Sequence, residues 1–276
     1  MEELKCGSSS CRISSRGAFV SSLNIKGKEL LKKPEDRYVT HSGMSVLIPY
    51  ADIVKNGTYI WNDVKYELPK NGIYEKDYDN SIHGLVRSSP FSIAFKDTNS
   101  VLLKYTIYNK GYPSLLKIDI DYSLSADMLR TIYVVENAGK KNAPLQCGAH
   151  PYFIFKDFWI IHFDKSVKLL KDVLEVIPKT DNSTFNYLTK KRKGYYDDTF
   201  HGNTTIHIVS SDRQIEVRRT RMPYFEVYDG IYASGNSVAI EPLTGPPNSY
   251  NNSISLINLA PGEVFLCMFD ISATIL

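Results

Sequence analysis

A chain of 276 residues that is 43% hydrophobic and 23% charged has the composition of an ordinary globular protein, neither fibrous nor disordered. Its 33 Lys and Arg against 30 Asp and Glu leave a net charge of +3, too balanced for an electrostatic nucleic-acid binder. The longest apolar runs fall well short of the ~20 residues needed to span a bilayer, so neither a membrane segment nor a membrane partner is expected.

The stretch 1–12 is polar and has no apolar run of the about 7–15 residues that a secretory signal requires, which predicts a cytoplasmic protein. Cys6, Cys11, Cys147 and Cys267 form no CxxC pattern and are expected as free thiols, with a Cys6–Cys11 bridge open in an oxidising setting. No metal site is expected. The dominant local texture is short runs of Val, Ile, Tyr, Phe and Thr between Gly, Pro, Asn and Asp clusters. Strands are predicted at 102–108, 116–124, 128–136, 158–163, 204–209, 215–219, 225–228, 237–240 and 265–271. Within 116–124 the apolar set Leu116, Ile118, Ile120, Tyr122 and Leu124 alternates with Lys117, Asp119, Asp121 and Ser123, a period of two that means sheet with one wet face. Turns are predicted at 109–111, 137–139 and 211–212. With no Pro/Gly/Ser-rich linker, repeat, GxGxxG, Walker or HExxH pattern, the expectation is one domain over residues 1–276, an all-β, large antiparallel β-sandwich. Its open edges allow a monomer or a homodimer.

His83, in Ile82-His83-Gly84, and His150, in Gly148-Ala149-His150-Pro151, stand beside turn-forming residues. Proline biases the residue before it toward extended backbone, which fixes the direction in which His150 leaves the chain. Each histidine reads either as a turn residue donating to a carbonyl or as a catalytic group. Glu241 ends the apolar run 237–240 before the rigid stretch Pro242 to Asn248; it is either a strand-end cap or a partly desolvated base. Asp197-Asp198 between Gly194 and Gly202 reads as solvated loop residues or a second acidic site. A serine hydrolase lacks its GxSxG, whereas two separated carboxylates leave a glycosidase open.

Three ordered blocks span most of the chain: Ile82-His83-Gly84-Leu85-Val86-Arg87; Asn137-Ala138-Gly139 leading through Pro144-Leu145 to Gly148-Ala149-His150-Pro151-Tyr152-Phe153; and Ile240-Glu241-Pro242-Leu243-Thr244-Gly245-Pro246-Pro247-Asn248. Together they resemble the aldose 1-epimerase (galactose mutarotase) family. The resemblance implies a galactose mutarotase-like supersandwich and an isomerase that interconverts the α and β anomers of a free sugar such as glucose or galactose, without cofactor or metal. It also implies His150 as acid at the ring oxygen, Glu241 as base at the C1 hydroxyl, His83 as a second histidine near the ring oxygen, and Asp197 as a ligand of sugar hydroxyls. Many members carry an Asn-Arg pair after a proline; here the corresponding stretch, Pro49 to Gly57, has Ala51-Asp52 and no arginine. Arg87 is the expected substitute in substrate binding. Together with the basic run Lys190-Lys191-Arg192-Lys193, it raises the alternative of a hexose 6-phosphate or other modified sugar. A sugar-binding protein of the same fold without turnover is the alternative from another class.

Overall fold

Residues 116–124 illustrate the rule that builds much of the molecule. In the computed structural model, which describes residues 1–72, 79–108, 111–175 and 179–276, Leu116–Leu124 is a strand whose apolar positions are all buried. It pairs antiparallel with Met128–Asn137, from Leu116↔Asn137 to Leu124↔Leu129, and that strand is buried at every second residue too. Charges fall on the outer face, where Lys104 meets Asp119 at 2.6 Å. Each large apolar side chain removed from water on the inner face contributes about 1.5–3 kcal/mol.

Pairing continues outward from Met128–Asn137 to Val264–Ile275, then Arg213–Thr220, Ile206–Val209 and the start of Ile160–Lys171. Ile160–Lys171 belongs to two layers. Its first half faces Ile206–Val209, with Ile161 opposite Ile208, and its second half faces Asp197–His201, with Leu169 opposite Phe200. The second layer proceeds through Tyr224–Tyr228, Ser237–Leu243, Gly148–Ile154 and Met44–Leu47 to the strands nearest the N-terminus, Val20–Ile25, Ser9–Ile13 and Glu2–Cys6. The main sheet of the described residues has 18 strands. Side chains of both layers, such as Ile118, Ile120 and Phe269 from the first and Val46, Phe225 and Ile240 from the second, close on one apolar core. The protein is an all-β antiparallel sandwich.

All nine predicted strands are present, 116–124 with the predicted ends and the others with shifted ones. The run predicted at 158–163 begins later and extends to Lys171, because Asp164, Lys165 and Ser166 lie where the strand passes from one layer to the other. Asp197 and Asp198, expected in a loop, open the strand Asp197–His201. His150 also sits inside a strand, and Glu241 lies within Ser237–Leu243 rather than at its end. Of the turn predicted at 109–111, residues 109 and 110 lie outside the described residues. The four cysteines are free; across the first hairpin Cys11 faces Leu4 and Cys6 faces Ser9, so that register does not bring them together.

Candidate active site

Directly opposed residues on neighbouring strands point to the same face of a sheet. The register runs from Gly148↔Leu243 to Tyr152↔Ala239, which sets His150 opposite Glu241. Glu241 is opposite Glu226, and Glu226 is opposite Thr199. One row therefore crosses four strands: His150, Glu241, Glu226, Thr199. Two residues along, a second row on the same face reads Tyr152, Ala239, Tyr228, Asp197. Asp198, one residue on, belongs to the other face. There it lines a separate cavity of about 580 Å³ with Tyr187, Tyr195 and Phe200.

His150 and Glu241 are 4% and 2% exposed, and His150 Nε2 lies 3.1 Å from Glu241 Oε1. The imidazole stacks on Tyr152 with centroids 4.5 Å apart, and its edge meets the His83 ring at 5.2 Å. Tyr152 is itself held by a 2.9 Å hydrogen bond from its hydroxyl to the Thr40 carbonyl.

The backbone explains why these motifs contain their small residues. Gly84 has φ +77°, and a Cβ there would come within 2.4 Å of the Ile48 carbonyl oxygen; Leu85 N–H donates to that same oxygen at 2.8 Å. His83 is itself left-handed, at φ 58°, and its N–H donates to the Asp52 carbonyl at 2.8 Å. A Cβ on Gly148 would meet Leu243 at 2.7 Å and Ala51 at 2.9 Å, so the approach of three segments beneath the pair requires glycine. The rigid stretch after Glu241 is tied down as well. Gln146 Nε2 donates to the Gly245 and Pro246 carbonyls at 2.5 and 2.8 Å, and Thr244 Oγ1 accepts from Cys147 N–H at 2.9 Å. Asn248 reaches back to the 49–57 stretch: its N–H donates to the Ile53 carbonyl at 2.7 Å, and its Oδ1 accepts from Lys55 N–H at 3.0 Å. Sequence blocks far apart in the chain thus meet around one imidazole and one carboxylate.

Arg87 is 9% exposed and bonds the Asn71 carbonyl at 3.4 Å. It lines, with Arg16 and Arg37, a cavity of about 790 Å³ whose wall includes Thr40 and Gly84, the neighbours of Tyr152 and His83. The basic run is partly structural. Lys190 bonds the Asp157 carbonyl at 2.9 Å and Asn236 Oδ1 at 2.5 Å, and Lys193 bonds the Ser237 carbonyl at 3.0 Å.

Glu226, opposite Glu241, is a buried carboxyl that sequence reasoning did not single out. It is 7% exposed, and burial, followed by the charges of Asp52, Glu241 and Asp197 and a hydrogen bond with Asp52, pushes its carboxyl well above the usual range. Asp197, exposed overall, is pushed up by desolvation of its carboxyl, opposed by a hydrogen bond with Glu226 and reinforced by Asp229. The available signal was a glutamate inside Tyr224–Tyr228, otherwise Tyr, Phe, Val and Tyr, the same irregularity that marks Glu241. Among the described residues no group of three or more His, Cys, Asp or Glu side chains could hold a metal ion, and no helix is long and apolar enough to cross a membrane.

An antiparallel sandwich with a histidine and a glutamate buried 3.1 Å apart on one sheet face is in keeping with the mutarotase class. The aldose 1-epimerase family model matches residues 3–267, and the chain belongs to that family. It is 27% identical to the uncharacterized protein YihR of Escherichia coli over 273 residues, covering 92% of this chain and 87% of that one. In fold it is similar to a galactose mutarotase-like protein from Lactobacillus casei, with TM-score 0.85, 16% identity and coverage of 99% and 100% of the two chains. It is likewise similar to galactose 1-epimerase from Lactobacillus acidophilus, with TM-score 0.77, 17% identity and coverage of 99% and 93%.

Proposed function

We propose that the protein is an aldose 1-epimerase that interconverts the α and β anomers of a free hexose or pentose by acid/base ring opening. The observation that carries this reading is the 3.1 Å pair of His150 Nε2 and Glu241 Oε1, buried and flanked by His83. The anomeric hydroxyl oxygen and the ring oxygen are both bonded to C1, so a proton donor and a proton acceptor this close can serve both oxygens of one sugar. Glu241 takes the proton from the C1 hydroxyl as His150 gives one to the ring oxygen, and the C1–O5 bond breaks to give the open-chain aldehyde. Rotation about C1–C2 presents the other carbonyl face, and the two groups reverse roles as the ring closes. Atoms and charge balance over the cycle, so the cycle itself consumes no cofactor. His83, edge-on to His150, serves the ring oxygen side, and Asp197, on the same sheet face, binds sugar hydroxyls. The test is the optical relaxation of freshly dissolved α-D-glucose, α-D-galactose and α-D-xylose. Acceleration of at least one to its unchanged final rotation supports turnover, whereas binding without acceleration supports a sugar-binding protein.

A second reading, an anionic sugar as substrate, is favoured by Arg16, Arg37 and Arg87 around the adjoining cavity. Cations so placed suit a phosphate or sulfonate at the far end of the sugar. Glucose 6-phosphate turned over about tenfold better than glucose would select it, since one charge-assisted hydrogen bond is worth about that much.

A further inference from the structure

Three carboxyls meet beside the proposed acid/base pair. Glu226 projects from the middle of the four-strand row, opposite Glu241 on one side and Thr199 on the other. Its carboxyl is hydrogen-bonded to those of Asp52 and Asp197, and Thr199 Oγ1 lies 3.4 Å from Glu226 Oε2. The three acids come from separate segments. Asp52 sits in the left-handed turn (φ 52°) whose carbonyl holds His83 N–H, Asp197 opens the strand Asp197–His201, and Glu226 lies between them. The Ala51-Asp52 stretch offers no arginine to hold these groups together.

We propose that Glu226 is a positioning residue of this site: its carboxyl, held between those of Asp52 and Asp197 beside His150 and Glu241, fixes the orientation of Asp197 toward the sugar. The inference rests on the epimerase reading for the role of Asp197. Ionised carboxylates only accept hydrogen bonds, so the hydrogen bond between Glu226 and Asp197 requires a proton on one of the two. Glu226 is the member that keeps it. It is more buried than Asp52 and Asp197, and Asp52, Asp197 and Glu241 all face it with acceptor oxygens or negative charge. Asp229 adds its charge from behind Asp197. A neutral Glu226 donates its single proton to Asp197 and lessens the negative charge facing Glu241, and a hydrogen bond with Asp52 at the same time takes a second proton. Loss of the proton sets like charges against each other and frees Asp197.

Glu226→Gln and Glu226→Leu, followed by kinetics and thermal unfolding across pH, test this. Glutamine keeps a neutral donor of similar shape, and leucine removes it. With wild type active, Glu226→Leu should raise KM and lose about tenfold in kcat/KM, the effect of one strong hydrogen bond on substrate positioning. Glu226→Gln should recover to within about threefold of wild type in both KM and kcat/KM. An unchanged KM in Glu226→Leu, or a loss in Glu226→Gln as large as in Glu226→Leu, overturns the proposal.

Unfolding reads the proton without any substrate. A carboxyl whose pKa is raised by folding contributes stability that is full below its unfolded value of about 4.3 and is lost as pH rises through its folded value. The melting temperature of Glu226→Gln should therefore gain on wild type as pH rises from about 4.3 toward neutrality. A gap independent of pH also overturns the proposal. Failure of the epimerase reading is distinct, because it is seen as wild type accelerating no sugar while the unfolding comparison still decides whether Glu226 holds the proton.

Discussion

The two layers of the sandwich treat polar side chains in opposite ways. In Leu116–Leu124 and Met128–Asn137 every charge points to the wet face and every inner position is apolar, apart from Thr131 and Asn137. In Gly148–Ile154 and Ser237–Leu243 nearly every residue is buried, and His150 and Glu241 are buried with the rest. Burying an ionisable group without compensation costs more than one apolar side chain returns. Such groups therefore mark the layer that has a task beyond folding. Removing an inner apolar side chain of the first layer should lower stability and leave chemistry intact, and replacing the buried ionisable groups of the second should lower the rate and leave the fold intact.

Glu241→Gln should give the largest effect. It keeps the shape of the side chain and removes the proposed base, so the rate above the spontaneous background should fall about 10²–10⁴-fold while circular dichroism and cooperative unfolding stay close to wild type. Ile118→Ala sharpens the other side of the contrast. Its side chain lies in the common core, and its loss should cost about 2–5 kcal/mol in denaturant unfolding, with turnover per folded molecule unchanged at low temperature. The adjacent acids probe the boundary within one strand: Asp197→Asn should raise KM about tenfold through a weakened hydroxyl contact, and Asp198→Asn, on the opposite face, should leave KM within about twofold of wild type. The smallest effect belongs to the outer face of the first layer, where Lys104→Ala breaks the pair with Asp119. Half-exposed pairs of this kind contribute about 0–1 kcal/mol, so calorimetry should find a shift near the limit of detection.

Legibility followed the same division. The alternation of 116–124 was plain in the sequence because one face of that strand meets water and the other does not. His150 and Glu241 were legible through their motif neighbours: proline extends the backbone at His150, and Gly84 and Gly148 stand where only glycine admits the close approach of other segments. The strands Glu2–Cys6 and Ser9–Ile13 were not legible, because they are short and partly polar and are organised mainly by pairing with each other and with Val20–Ile25. Asp197-Asp198 resembled a solvated loop for a related reason. Its strand is held by Tyr224–Tyr228 and by the far half of Ile160–Lys171, and neither contact is local in sequence. Glu226 escaped notice because its significance depends on Asp52, Glu241 and Asp197, which arrive from three other segments.

The most direct test of the central claim is polarimetry of α-D-galactose, freshly dissolved at a pH where spontaneous mutarotation is slow, with wild type and Glu241→Gln at equal concentration. The proposed acid/base pair predicts that wild type shortens the relaxation to the same final rotation and that Glu241→Gln returns it to nearly the spontaneous rate. A Glu241→Gln protein as fast as wild type, or a wild type no faster than buffer with galactose, glucose and xylose alike, would contradict it.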